Sequence, residues 1–478
     1  MIFDKNKFDL SENFVIKGEI MKIKKITAII LMLCLLCAPL LTACGGKGRD
    51  ACTEKYVILQ YTDMKANDVN YTAPEINYIF GENQKGSNTL VGVGYMGPML
   101  LTQSIEQMNE EIETAFDFAE QYNIPIYFQL DDINNYTDSF GAGAAVKYWE
   151  DPSMSEWIAF PEEGEEWGGQ KYAQSYKNEN GEELPFGGLP RFWYDWGDMR
   201  VAKPFPNIAS PALKELVVNN IKEGVLNPLV KRYNKLKKAG KAYLFAGMAI
   251  GWETHIPNTS GYVGKKVTAI TGEVMGENEK GQYGYSALYS LGYNQAKLDA
   301  EYAMKGYSSA EEYMKEILYG AIHDYTELLA KTTNDAGIPK EKIYSHIVSM
   351  SSIHDATSSW PPIWTAVNDY CTPGFTMNRQ SCQADISEIL KQISQADSSQ
   401  SQYGLVEGYD WSYENLSDAE KYLDTVFDSG SRIITCFGWP NVKNKFDTLN
   451  NGYVRAVLNW KKGVWETENT WDNSPILM

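Results

Sequence analysis

Two stretches of the sequence place a carboxylate at the end of an apolar run. Residues 243–250 (YLFAGMAI) lead into Gly251-Trp252-Glu253-Thr254-His255, and residues 403–406 (YGLV) lead into Glu407-Gly408-Tyr409-Asp410-Trp411. Short, continuously apolar runs of this kind read as fully buried parallel strands. A carboxylate at the C-terminal end of such a strand faces a cleft, at a substantial desolvation cost unless it finds partners. Two such groups about 5–5.5 Å apart are what a retaining glycoside hydrolase requires. One protonates the leaving oxygen and then serves as base, and the other attacks the anomeric carbon. Their surroundings must differ: an apolar setting keeps the acid protonated, and hydrogen-bond donors keep the nucleophile ionised. For Glu253 and Glu407 alike, the competing reading is a salt-bridged structural carboxylate.

Other side chains near strand ends could contact a sugar. Asp131 and Asp132 close the run 124–130 (IPIYFQL), as sugar contacts or as a loop-capping pair. His255 follows Glu253 by two residues, and Asn378 follows the run 374–377 (GFTM). Tyr409 and Trp411 could shape the pocket around Glu407. Trp193 and Trp196, in Phe192-Trp193-Tyr194-Asp195-Trp196, could line a sugar subsite or pack within their own loop. The chain carries 13 Trp and 31 Tyr, an excess that suits stacking on sugar rings as well as filling a large core.

Several chemistries find no support. The four His form no HExxH pair, so a zinc hydrolase is not indicated, and no metal site is expected. No Walker A sequence and no strand-linked dinucleotide fingerprint occurs, and the two-carboxylate reaction requires no cofactor. Net charge is −19, which argues against nucleic acid, because phosphate neutralisation needs clustered Lys and Arg. Cys52, Cys371, Cys382 and Cys436 match no zinc spacing; Cys371 and Cys382 could close a short disulfide loop, or all remain buried thiols.

The elements that must position these residues alternate. Apolar runs at 56–61, 90–95, 124–130, 243–250, 343–349, 374–377, 403–406 and 432–437 read as strands. Between them, apolar residues recur at helical spacing over 104–122, 210–238, 296–336 (broken near Gly306), 385–396, 418–429 and 446–461. Such alternation is the α/β signal. Eight strands with crossover helices predict a (β/α)8 TIM-type barrel, with a doubly wound open sheet as the alternative. Two long irregular stretches, 133–209 and 254–295, follow the third and fourth strands. In a barrel both lie on the C-terminal face, where active sites form.

This arrangement resembles the large clan of retaining glycoside hydrolases with (β/α)8 barrels, which carry the acid on strand four and the nucleophile on strand seven. The eighth strand agrees: Thr435-Cys436-Phe437-Gly438-Trp439-Pro440 places a Trp where that clan often floors its sugar site. The resemblance covers roughly residues 56–460 as architecture. It implies Glu253 as acid/base, Glu407 as nucleophile and Trp439 as stacking platform. The chain departs from the clan at Trp252, where the clan has an Asn that contacts the sugar 2-hydroxyl.

The N-terminal region has a separate logic. Met21-Lys22-Ile23-Lys24-Lys25 is basic, 26–41 is almost wholly apolar, and Leu41-Thr42-Ala43-Cys44 follows. A basic start, an apolar segment and a small-residue cleavage site make a secretory signal. The last four residues resemble a bacterial lipobox, which implies a diacylated Cys44 as the first residue of an exported lipoprotein. The expected organisation is a signal peptide at 1–43 (true start Met21), a lipidated tether at 44–55, the barrel at 56–465 and a tail at 466–478. The leader carries six Lys against four acids, so its removal takes the charge to −21. The expected place is the extracytoplasmic face of the cell membrane, with a carbohydrate and the lipid bilayer as partners. Two rivals share the anchor and the aromatics: a non-catalytic carbohydrate-binding lipoprotein on a degenerate barrel, and a solute-binding lipoprotein of a sugar transporter. The transporter protein would need two lobes.

Overall fold

A computed structural model describes residues 54–61, 74–84, 89–133, 148, 151–157, 159–160, 191–195, 198–202, 205–257, 283–348, 360–378, 382–409, 415–439 and 451–462. Cys44, Trp196 and Trp411, expected to matter on sequence grounds, lie outside these residues, as do the leader, tether and C-terminal tail.

Nine parallel strands form a nearly closed barrel. In chain order they are β1 (Lys55–Tyr61), β2 (Thr89–Met99), β3 (Ile126–Asp131), β6 (Phe245–Ile250), β7 (Ile343–Ser345), β8 (Ile347–Val348), β9 (Gly374–Asn378), β10 (Gly404–Tyr409) and β11 (Ile433–Cys436). They pair in the order β7-β6-β3-β2-β1-β11-β10-β9-β8. The apolar runs that read as strands are these strands, and the open doubly wound sheet is not what forms. The count differs by one, because the run 343–349 is interrupted at His346: β7 pairs with β6, and β8 pairs with β9. Backbone bonds from Ser345 N–H to Thr372 O (3.1 Å) and from Thr372 N–H to Ile343 O (2.8 Å) bridge the same place.

The remaining strands, β4 (Arg191–Asp195) and β5 (Asp198–Ala202), form an antiparallel pair inside the long stretch after β3. Phe192, Trp193, Tyr194 and Asp195 thus belong to one strand of an antiparallel pair.

Helices cover the barrel because each carries one apolar stripe. Ile105–Tyr122 begins with a capping box between Ser104 and Gln107 and buries Met108, Ile112, Ala115, Phe116, Phe118 and Ala119. Phe116 meets Phe128 of β3 and Phe245 of β6, with ring centres 6.3 and 6.0 Å apart. The stretch expected as one helix over 210–238 is instead Pro211–Asn220, a π turn at Ile221–Leu226, and Asn227–Lys238. Pro228 explains the break: it has no N–H to offer the Gly224 carbonyl four residues back. Asn109 takes that place, donating to Glu223 O (2.9 Å) and Gly224 O (3.2 Å).

Cys371 and Cys436 are buried free thiols, so the Cys371–Cys382 disulfide is not formed. Burial pushes the Cys371 thiol up to about 11. Among the described residues, no helix is long and apolar enough to cross a membrane.

Candidate functional site

Four barrel strands, together with the residue between β7 and β8, project polar side chains into one buried layer. Gln60 comes from β1, Gln129 from β3, His346 from the β7–β8 break, Thr376 from β9 and Glu407 from β10, each 0–1 % exposed. Glu253, 4 % exposed, joins them from the turn after β6. A β-bulge aims Glu407 inward. Between Leu405 and Glu407 the register shifts, so that Val406 is the extra residue and Glu407 falls opposite Thr376.

The polar atoms are linked in a chain. Gln60 Nε2 donates to Gln129 Oε1, which turns the Gln129 amide nitrogen toward the acids. That nitrogen donates to Glu407 Oε2 at 2.8 Å and lies 3.4 Å from His346 Nδ1. His346 Nε2 is 2.7 Å from Thr376 Oγ1, and Thr376 Oγ1 donates to Glu253 Oε1 at 2.8 Å. One nitrogen or oxygen each from Glu253, His346 and Glu407 lies within 4.8 Å of the other two. Both nitrogens of His346 face hydrogen-bond partners, as do Glu407 Oε2 and Glu253 Oε1. The trio therefore reads as a hydrogen-bonded network rather than as a ligand set for a cation.

Glu253 sits on a constrained backbone. Its φ is +49°, in the left-handed region that non-glycine residues rarely adopt, and Gly251 before it has φ +80°. Such conformations cost about 1–3 kcal/mol and persist where surrounding contacts over-determine them. Asp132 Oδ1 accepts from Trp252 N–H at 3.2 Å, and His346 O accepts from Thr254 N–H at 2.8 Å, so the turn is held from both sides. His255 donates from Nδ1 to Glu253 O (2.6 Å) and packs between Trp360 (ring centres 4.6 Å) and Phe205 (5.8 Å).

Burial, and then the negative charge of Glu407, push the Glu253 carboxyl well above the usual carboxylate range; the Thr376 hydroxyl pulls the other way. His346 is driven down to about 3 by burial, so it is neutral at ordinary pH. Asp132 is pushed up to about 7, again by burial, while the Tyr325 hydroxyl and the Trp252 N–H oppose the shift.

A group whose folded pKa is raised favours the folded state below its ordinary pKa and loses that contribution as pH rises through the folded value. Asp132 should therefore make the protein less stable between about pH 4 and pH 7, by a few kcal/mol in order of magnitude. Asp132→Asn should flatten that part of the curve, which urea unfolding at pH 4.5, 6 and 8 would measure. Equal slopes in the two proteins would contradict the shift.

Of the residues singled out in the sequence, Glu253, Glu407, Asp131, Asp132, Trp252 and His255 are all buried where β3, β6 and β10 end. Asp131 Oδ1 accepts from Ile133 N–H (3.1 Å), so it caps its own turn. Trp252 buries its ring and enters the network through its backbone. Trp439 follows β11 and is fully buried, its ring 5.9 Å from Phe80. Asn378 and Tyr409 end β9 and β10, and Trp193 lies in β4; their side chains are outside the described set. No protein-family model matches the chain, and no match was found among curated proteins.

Sequence reading missed Gln60, Gln129, His346 and Thr376. Three of them carried a signal: YVILQY, IPIYFQL and IYSHIVS each contain one bulky polar residue in an apolar run. A polar group buried in a strand needs partners, and such groups cluster.

The two long stretches after β3 and β6 meet through one acid. Glu156 accepts backbone N–H bonds from Gly284 (3.0 Å), Ser286 (3.2 Å), Ala287 (3.1 Å) and its neighbour Trp157 (3.3 Å). Three of these donors open the helix Tyr285–Ser290, whose N-terminus favours negative charge. Asn207 adds bonds to Ser286 Oγ (2.6 Å) and Ser290 Oγ (3.0 Å).

Proposed function

We propose that this protein is a retaining glycoside hydrolase acting on an extracellular glycan, with Glu253 as acid/base and Glu407 as nucleophile. The observation that carries the reading is the pair itself: two buried carboxylates from the C-terminal ends of different barrel strands, in unlike surroundings. The 4.8 Å limit on their oxygen separation suits the short spacing of a retaining pair rather than the ~6.5–9.5 Å of an inverting one. Glu253 is held as an acid by burial and by its neighbour's charge. Glu407 receives an amide N–H, the bond an ionised carboxylate accepts. In this reading β7 and β8 are one strand broken at His346, which brings the count to the eight of a TIM-type barrel. Trp439, fully buried against Phe80, would then back the sugar site from beneath. The basic and apolar leader ending at Cys44 supports a lipid anchor on the outer face of the membrane.

The test is a panel of aryl glycosides incubated with the full chain in detergent, with product anomers followed by proton NMR. Hydrolysis with retained configuration is expected. Inverted product would refute the nucleophile assignment, and a panel and glycan set left intact would favour the non-catalytic binding reading.

A further inference from the structure

We propose that His346 and Thr376 form a relay that claims Oε1 of Glu253 as an acceptor and so places the acidic proton of that residue on Oε2. The inference rests on reading Glu253 as the acid of the site. Its direction follows from counting donors. Gln60 donates to Gln129 Oε1, so the Gln129 nitrogen, with two protons, faces Glu407 Oε2 and His346 Nδ1. His346 Nδ1 is then an acceptor. A neutral imidazole carries a single proton; the Gly251 carbonyl also faces the ring, and with Nδ1 turned to the Gln129 amide we assign the proton to Nε2, where Thr376 Oγ1 lies at 2.7 Å. The Thr376 hydroxyl has one proton of its own, and it goes to Glu253 Oε1 at 2.8 Å. An oxygen that accepts there cannot also carry the acid proton toward the threonine, which leaves Oε2.

The groups that face the Glu253 carboxyl are Glu407 on β10, His346 at the β7–β8 break and Thr376 on β9, while His255 bonds its backbone carbonyl. Among them Glu407 raises the proton affinity of Glu253 and Thr376 lowers it. His346 and Thr376 are thus positioning residues. They fix which oxygen delivers the proton, and Thr376 keeps its affinity from rising further.

The tautomer can be read directly, since the chain has four His. In 15N-histidine NMR of the full chain, the signal lost in His346→Gln should show a neutral ring protonated at Nε2 and unchanged from pH 5 to 9. Thr376→Val should shift that Nε2 resonance. It should also move the basic limb of the kcat/KM profile up by about one pH unit, because the donor to the carboxylate is gone. Thr376→Ser should restore both, which a merely space-filling role would not require.

An Nδ1-protonated or charged His346 in the wild type overturns the relay, as does a Thr376→Val basic limb that stays in place. The two proposals fail separately. Without any hydrolysis, the Nε2–H tautomer with its Thr376→Val shift would uphold the relay and sink only the hydrolase reading. Hydrolysis with an Nδ1–H tautomer would do the reverse.

Discussion

Glu407→Gln should lower hydrolysis of every aryl glycoside by at least about a thousand-fold, because the amide cannot attack the anomeric carbon. Glu253→Gln should give a different pattern. Loss of a positioned general acid costs about 10²–10⁴-fold, and the loss should be largest for poor leaving groups and small for nitrophenolates, which depart without a proton. The contrast separates the two roles more sharply than either rate alone. Both variants keep the hydrogen-bonding shape of the side chain, so circular dichroism should match the wild type. Leaving-group dependence in Glu407→Gln, with none in Glu253→Gln, would mean that the roles are exchanged. Full activity in both variants would move the site elsewhere, with Asp131 and Asp132 the next acids to test.

Glu156→Ala should produce the largest loss of stability among single substitutions outside the barrel layer. Its carboxylate answers four backbone N–H groups, and it is buried. Burial pushes this carboxyl up to about 8 against the four donors, so the cost of Glu156→Ala comes from the N–H groups left behind: each that stays buried and unpaired costs about 1–3 kcal/mol. Loss should fall first on the segment Pro152–Met154 and the helix Tyr285–Ser290, which this acid ties together. Hydrogen exchange of the Gly284, Ser286 and Ala287 amides would show it, alongside a lower urea midpoint. Glu156→Gln keeps one acceptor oxygen and should lose less. Unchanged exchange at those amides would mean that other contacts, such as those of Asn207, suffice to hold the helix.

The alternation of strand and helix was legible in the sequence for a simple reason. A parallel strand buried on both faces must be apolar throughout, and a helix covering it must be apolar on one stripe. Runs such as YVILQY and the spacing of Met108, Ile112, Ala115 and Phe116 therefore state their place without further information. Caps were legible too, since Ser104, Ser210 and Ser309 each accept from a backbone N–H in the first turn of a helix. The helix break at Ile221–Leu226 was present only as Pro228, and its accommodation depends on Asn109, more than a hundred residues away.

The candidate acids were legible by position, because a carboxylate closing an apolar run has few places to go. What they touch was not. Glu407 faces Thr376 only because a bulge in β10 displaces Val406 from the ladder, and no local pattern announces that shift. The interruption of one apolar run at His346 likewise turns an expected eight strands into nine. The sequence by itself determined the apolar runs that become barrel strands, the helical spacing between them and the two acids at the ends of the runs that become β6 and β10. Tertiary structure decided which polar side chains share the barrel interior, because strands far apart in the chain meet there and a buried hydrogen bond can form only with whatever the opposite wall supplies.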